Sequence, residues 1–252
     1  MLPVWAAEDW AAYDTRPAAV AQTGARLVAH LATMASGPEA PTGSVAASLA
    51  AAWAPDHPKA AAALDAALIL AADHELNVSA FTARCVASAG STPYAVVTAG
   101  LAALRGPKHG GHCDRVEALF AEAGSPRMAA ATLAGRLRRG EAVPGFGQPL
   151  YPQGDPRGAA LLAIAAEVAP GSPAVALATA LSGAAEALLH EHPTIDFGLV
   201  ALARALGLPP GAPIALFALG RSVGWIAHAI EQYQTDRLIR PRARYVGLPP
   251  ET

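Results

Sequence analysis

Helix punctuation constrains this chain more than any other feature. Runs rich in Ala and Leu, both strong helix formers, fill it, while Ile, Thr and aromatic residues are scarce. Start signals frame the runs. Ser91-Thr92-Pro93, Ser125-Pro126, Asp155-Pro156 and Ser172-Pro173 each set a capping side chain before a proline. Its fixed φ and missing N–H suit the first helical position. Gly106, Gly140 and Gly171 follow such runs as stops. Val97, Leu101 and Leu104 recur at helical spacing between Pro93 and Gly106. No window alternates as a half-buried strand does, so the expected fold class is all-α.

The chain is 53% hydrophobic and 15% charged, with a net charge of −2. A nearly neutral surface carries no electrostatic footprint for nucleic acid or an anionic membrane. The basic cluster Arg136-Leu-Arg-Arg139 reads as the last turn of a helix before Gly140. Two cysteines, Cys85 and Cys113, are too few for a disulfide scaffold. The start, Met-Leu-Pro-Val-Trp-Ala-Ala-Glu-Asp, lacks the basic and apolar regions of a signal peptide. The apolar stretch Leu206–Gly220 is interrupted by Pro209, Pro210 and Pro213 and falls short of a bilayer span. A soluble cytoplasmic protein is expected, with no nucleic acid and no membrane among its partners.

Loops carry the chemistry. Gly, His and charge concentrate in Gly106-Pro-Lys-His-Gly-Gly-His112, in Val143-Pro-Gly-Phe-Gly-Gln148, and in His190-Glu-His-Pro-Thr-Ile-Asp196. Asp73-His74-Glu75 and Arg221 add polar points on helices. Residues 1 to about 55 hold no comparable constellation and read as irregular or peripheral helix.

Taken in order, these segments resemble the citrate synthase family. Asp73-His-Glu-Leu-Asn-Val-Ser-Ala-Phe-Thr-Ala-Arg84 is similar to the segment that begins with its substrate-binding histidine. Leu104-Arg-Gly-Pro-Lys-His-Gly-Gly111 resembles its catalytic histidine loop. Pro144-Gly-Phe-Gly147 with Gly154-Asp-Pro-Arg157 resembles its third active-site loop. Thr194-Ile-Asp-Phe197 stands in place of its Asn-Val-Asp, and Gly220-Arg221 through His228-Ala-Ile-Glu-Gln232 resembles its final long helix. Arg237-Leu-Ile-Arg-Pro-Arg242 closes a likeness covering roughly residues 58 to 247.

The resemblance implies a citrate synthase-like fold, with a large helical domain of residues 1–112 and 219–252 and a smaller one of 113–218 inserted between them. It implies condensation of an acyl-CoA thioester with oxaloacetate or a related 2-keto acid. That chemistry needs a base, an enol-oxygen donor and a group that polarises the receiving carbonyl. By resemblance Asp196 is the base and His109 the enol donor. His74, Arg157, Arg221 and Arg240 bind the keto acid, Arg240 reaching in from the partner of a homodimer. Val143, Pro144, Gly145, Phe146 and Gly147 lie against the adenine of CoA. CoA enters as substrate, and no cofactor is bound tightly. On its own, Asp196 also reads as a helix N-cap, and Arg157 as a surface arginine of a first helical turn.

One departure matters. Gln148 stands where the family places a third catalytic histidine directly after Gly-x-Gly. Glutamine offers a hydrogen bond from its amide but transfers no proton. Losing a general acid costs on the order of 10²- to 10⁴-fold in rate. Pro152 and Gln153 also replace basic residues that many relatives carry near the CoA phosphates. Short relatives include citryl-CoA lyase, so the cleavage direction stays open, as does a keto-acid- or CoA-binding regulatory protein that has lost turnover.

Rival readings use the same residues. His109, His112 and Cys113, with His190 and His192, have feasible spacing for metal ligands, but Gly110-Gly111 opposes a helix there and no further cluster completes the set. The expectation is no metal. Cys113 as nucleophile has only His109 or His112 as a base. Trp225 and His228 read as packing residues of the long helix.

Overall fold

A computed structural model describes residues 2–38 and 43–248. Twelve α-helices form among the described residues, and no strand. In chain order they are α1 (Leu2–Glu8), α2 (Pro17–Ser36), α3 (Val45–Trp53), α4 (Ala60–Ala71), α5 (Val78–Ser88) and α6 (Pro93–Leu104), then α7 (His112–Ala123), α8 (Ala129–Arg138), α9 (Pro156–Val168), α10 (Pro173–Leu189), α11 (Ile195–Ala205) and α12 (Ala212–Thr235).

Two of the four start signals act through their side chains, while Thr92 before Pro93 makes no side-chain cap and leaves the start of α6 to the proline. Asp155 accepts the Arg157 N–H and Ser172 the Ala174 N–H, with Pro156 and Pro173 opening α9 and α10. Asn77 caps α5 by accepting from the N–H groups of Ser79 and Ala80. Ser125-Pro126 differs from expectation. It opens a single 3₁₀ turn, Pro126–Met128, and α8 begins after it without a capping side chain. Arg136 and Arg138 do occupy the last turn of α8, and Arg136 pairs with Glu122.

The N-terminal stretch, expected as irregular or peripheral helix, is regular helix over much of its length. α2 is a 20-residue helix. Its Val20 and Leu27 are fully buried, on the face turned to α12. Pro17 starts it, and two turns of helix separate the two anchors. Small residues bring α12 still closer to α4. A Cβ on Gly220 would lie 2.5 Å from the Leu68 carbonyl oxygen, and one on Gly224 would collide with that of Ala72. This contact seats Arg221, which lies between them in sequence, at the centre of the fold.

α12 packs on α2, α4, α5 and α6, whereas α11 packs on α7, α9 and α10. The first expected domain junction, 112/113, falls at the start of α7; the second, 218/219, falls inside α12. That link is continuous helix rather than a loop. Among the described residues α12 is the one helix long and apolar enough to cross a membrane, and most of it is buried within the protein. Trp225 is a packing residue as expected, fully buried against Gly100. His228 is more than that: its Nδ1 accepts from Arg84 Nε at 2.9 Å and its Nε2 meets Asp73 at 3.2 Å.

Candidate active site

The loops meet at a cleft open to solvent. His74, His109, Gln148, Arg157, Asp196 and Arg221 all line it, joined by Phe146 and Gly147 of the glycine-rich loop. Val143, Pro144 and Gly145 sit behind that wall, and Arg240 lies on the exposed segment after α12, outside the lining.

His109 stands on the turn between α6 and α7. The turn is tight because Gly110 and Gly111 lie directly on earlier backbone: a Cβ on Gly110 would come within 2.7 Å of the Leu104 side chain, and one on Gly111 would strike the Arg105 carbonyl. Glycine is needed here for close approach, not for a left-handed backbone. His109 Nε2 lies 2.8 Å from Ser79 Oγ, which in turn accepts from Trp225 Nε1 at 3.1 Å. Ser79 Oγ also lies 2.8 Å from Asn77 Oδ1, an oxygen already accepting two backbone N–H groups. Burial, aided by the charge of Arg221, pushes the His109 pKa down to about 4. The imidazole is therefore neutral at physiological pH.

Asp196 is the second residue of α11. Thr194 occupies the N-cap position, so Asp196 is not the cap itself. Its accessible surface opens into the cleft, while burial raises its pKa to about 6. Cys113 Sγ donates to its Oδ1 at 3.3 Å. Burial, then the Asp196 charge, pushes the Cys113 thiol well up, which removes the thiolate a nucleophile needs.

The basic side of the cleft is built differently. Arg221 is 1% exposed. Its Nε donates to the Ala71 carbonyl at 2.7 Å, and its buried Nη2 has no hydrogen-bond partner. Burial lowers its pKa to about 10, so it keeps its charge at neutral pH. Arg157 makes a two-pronged ion pair with Asp155, at 2.9 and 2.8 Å, and so is no free surface arginine. Asp155 also accepts the Ile195 N–H at 3.2 Å, tying the start of α9 to the start of α11. His74 Nε2 lies 2.9 Å from Tyr151 Oη. Burial and then the two arginines lower its pKa, the mark of a locally positive field. Gln148 Oε1 accepts a long bond of 3.5 Å from the Leu150 N–H, which leaves its NH₂ as the outward donor.

The glycine-rich loop is held from both sides. Gly147 N donates to the His192 carbonyl at 3.0 Å and Thr194 N to that of Gly145 at 2.9 Å. His112 Nε2 accepts the Gly145 N–H at 3.0 Å. His109, His112 and Cys113 thus turn their donor atoms to Ser79, Gly145 and Asp196, three different places. No group of three His, Cys, Asp or Glu side chains placed to hold a metal occurs among the described residues.

Ser79 and Tyr151 were not foreseen, and His112 was considered only as a metal ligand or as a base for Cys113. Serine in a helix and tyrosine in a loop carry no signal until their partners, 30 and 77 residues away, are in place.

The family model for the citrate synthase C-terminal domain matches residues 6–242. The chain belongs to the citrate synthase family. A putative citrate synthase 2 of Mycobacterium tuberculosis is 34% identical over 183 residues, 70% of this chain and 48% of that one. A 2-methylcitrate synthase of Shewanella oneidensis is 36% identical over 178 residues, 69% of this chain and 47% of its own length. This citrate synthase family chain spans about half the length of both curated relatives. Among solved structures, the citrate synthase of Thermoplasma acidophilum in ternary complex with carboxymethyl coenzyme A and oxaloacetate is 28% identical. It superposes with a TM-score of 0.76 over 96% of this chain and 74% of that one. The all-α fold is citrate synthase-like.

Proposed function

We propose that the chain joins the α-carbon of acetyl-CoA, or of another acyl-CoA, to the keto carbon of oxaloacetate or a related 2-keto acid. The observation that carries the proposal is the unpartnered, charged Nη2 of Arg221, buried in the same cleft as a neutral His109 and a high-pKa Asp196. An unsatisfied buried cation costs free energy that a bound carboxylate recovers.

Asp196, ionised above about pH 6, removes a proton from the carbon next to the thioester. His109 donates to the thioester oxygen as charge develops there. The single Ser79 hydroxyl proton has two acceptors at 2.8 Å, Asn77 Oδ1 and His109 Nε2, and the neutral ring presents Nδ1–H as that donor in the state where the proton turns to Nε2. The enol carbon then attacks the keto carbon, whose oxygen takes a hydrogen bond from the Gln148 amide and, because that amide transfers no proton, takes its proton from water. His74, Arg157 and Arg221 hold the keto acid's carboxylates, with Arg240 supplied by the partner of a homodimer. The loop Val143–Gly147 receives the adenine of CoA, and hydrolysis of the thioester frees the thiol. No step needs a metal or a tightly bound cofactor. Two free cysteines suit a cytoplasmic setting.

The same groups run backwards would cleave citryl-CoA. Gln148 favours a further alternative, a regulatory protein that binds keto acid or CoA without turnover, because an amide transfers no proton.

Incubation with several acyl-CoA thioesters and a panel of 2-keto acids, following free thiol, tests the synthase reading. Thiol release with at least one pair is expected. Absence of release from both wild type and Gln148→His overturns it, and calorimetric binding of oxaloacetate without turnover then selects the regulatory reading.

A further inference from the structure

We infer that Cys113 is the positioning residue for the Asp196 carboxylate, its thiol holding Oδ1 so that the other oxygen serves the cleft. The inference rests on the reading above only in calling Asp196 the base; the contact itself is independent of it.

Cys113 is the second residue of α7 and 1% exposed. Its Sγ lies 3.3 Å from Asp196 Oδ1, and among the described residues it is the one side-chain donor on that carboxylate. Other charged or titratable groups surround the site: His109 before α7, His112 on it, Asp155 and Arg157 at the start of α9, and Arg221 on α12. Arg157 and Asp155 act on Asp196 through charge alone. The thiol stays protonated because burial and the adjacent carboxylate both oppose thiolate formation. It is therefore a fixed donor.

A thiol suits the position for a chemical reason. A carboxylate taking several strong hydrogen bonds has its pKa pulled far down and becomes a poor base. A buried carboxylate with no donor is free to turn and is driven towards its neutral form. The S–H group is a weak donor, so it fixes direction while leaving most of the basicity that burial creates.

The test titrates the ¹³C carboxyl signal of Asp196, assigned with Asp196→Asn, in wild type, Cys113→Ala and Cys113→Ser, alongside the pH dependence of kcat/KM. Cys113→Ala is expected to raise the midpoint by about half to one pH unit, the scale of one ordinary hydrogen bond, because the thiol is a weak donor. Cys113→Ser, nearly isosteric and a stronger donor, is expected to lower it. The acid limb of kcat/KM should move in the same directions. An unchanged midpoint in both variants overturns the inference and reduces Cys113 to packing. If Cys113→Ala fails to fold, the serine variant alone decides by the direction of its shift. Shifted midpoints without any turnover uphold the inference while removing Asp196 as a base.

Discussion

The two halves of the cleft are prepared in different ways. On one half, His109 is held by Ser79, itself fixed by the Trp225 indole, and Asp196 by Cys113. Burial drives both groups towards their neutral forms, lowering the histidine to about 4 and raising the carboxylate to about 6. On the keto-acid half, His74 is paired with Tyr151 and Arg157 with Asp155, while Arg221 keeps one nitrogen unpaired. The first half needs no rearrangement before it can act. Under the proposed function the second would exchange the Tyr151 partner of His74 and the Asp155 partner of Arg157 for substrate carboxylates, whereas Arg221 Nη2 has no partner to give up. Orientation is fixed where a proton moves, and affinity is adjustable where an anion docks.

The comparison breaks first at Asp196. Asp196→Asn should lower kcat by about 10²- to 10⁴-fold, the usual worth of a general base, with keto-acid binding by calorimetry nearly unchanged. The pH dependence follows from the same group. Its raised pKa means the carboxylate takes up a proton as pH falls through about 6, so kcat/KM should fall tenfold per unit below that point. His109 adds no second ionisation until about pH 4.

Gln148→His sharpens the contrast from the other side. It adds a proton carrier between the two halves and should raise kcat by roughly 10²-fold, read from thiol release at saturating substrate. An unchanged rate would show that proton supply at this position does not limit turnover.

Smaller effects separate the halves more finely. Ser79→Ala should lower kcat about tenfold through a misdirected His109, with both KM values kept, since a typical hydrogen bond contributes about 0.5–1.5 kcal/mol. Tyr151→Phe should do the reverse. Freeing His74 from its internal partner should lower the keto-acid KM a few-fold with kcat unchanged. If Tyr151→Phe instead lowers kcat, the two halves are not distinct.

Much of this was legible in the residues. The start and stop signals placed α6, α9 and α10, because capping and proline act within a few residues and need no tertiary context. The six cleft residues were identifiable because the segments that carry them resemble, in unbroken order, those of the citrate synthase family. The N-terminal stretch was misread because α2 owes its place to the face of α12 that it covers, and no local signal announces that face. Arg240 remains on exposed chain, where the sequence segment fixes its neighbours but not its target.

The sequence by itself determined that the chain is helical, where several helices begin, and which loops carry ionisable groups. These follow from backbone propensity and local hydrogen bonding, which act over a few residues. Only the tertiary structure decided the protonation chemistry. His109 is neutral, Asp196 holds its proton unusually well, and the Cys113 thiol is a donor rather than a nucleophile. Those states come from removal of water and from partners distant in sequence, and both exist only after the helices have packed.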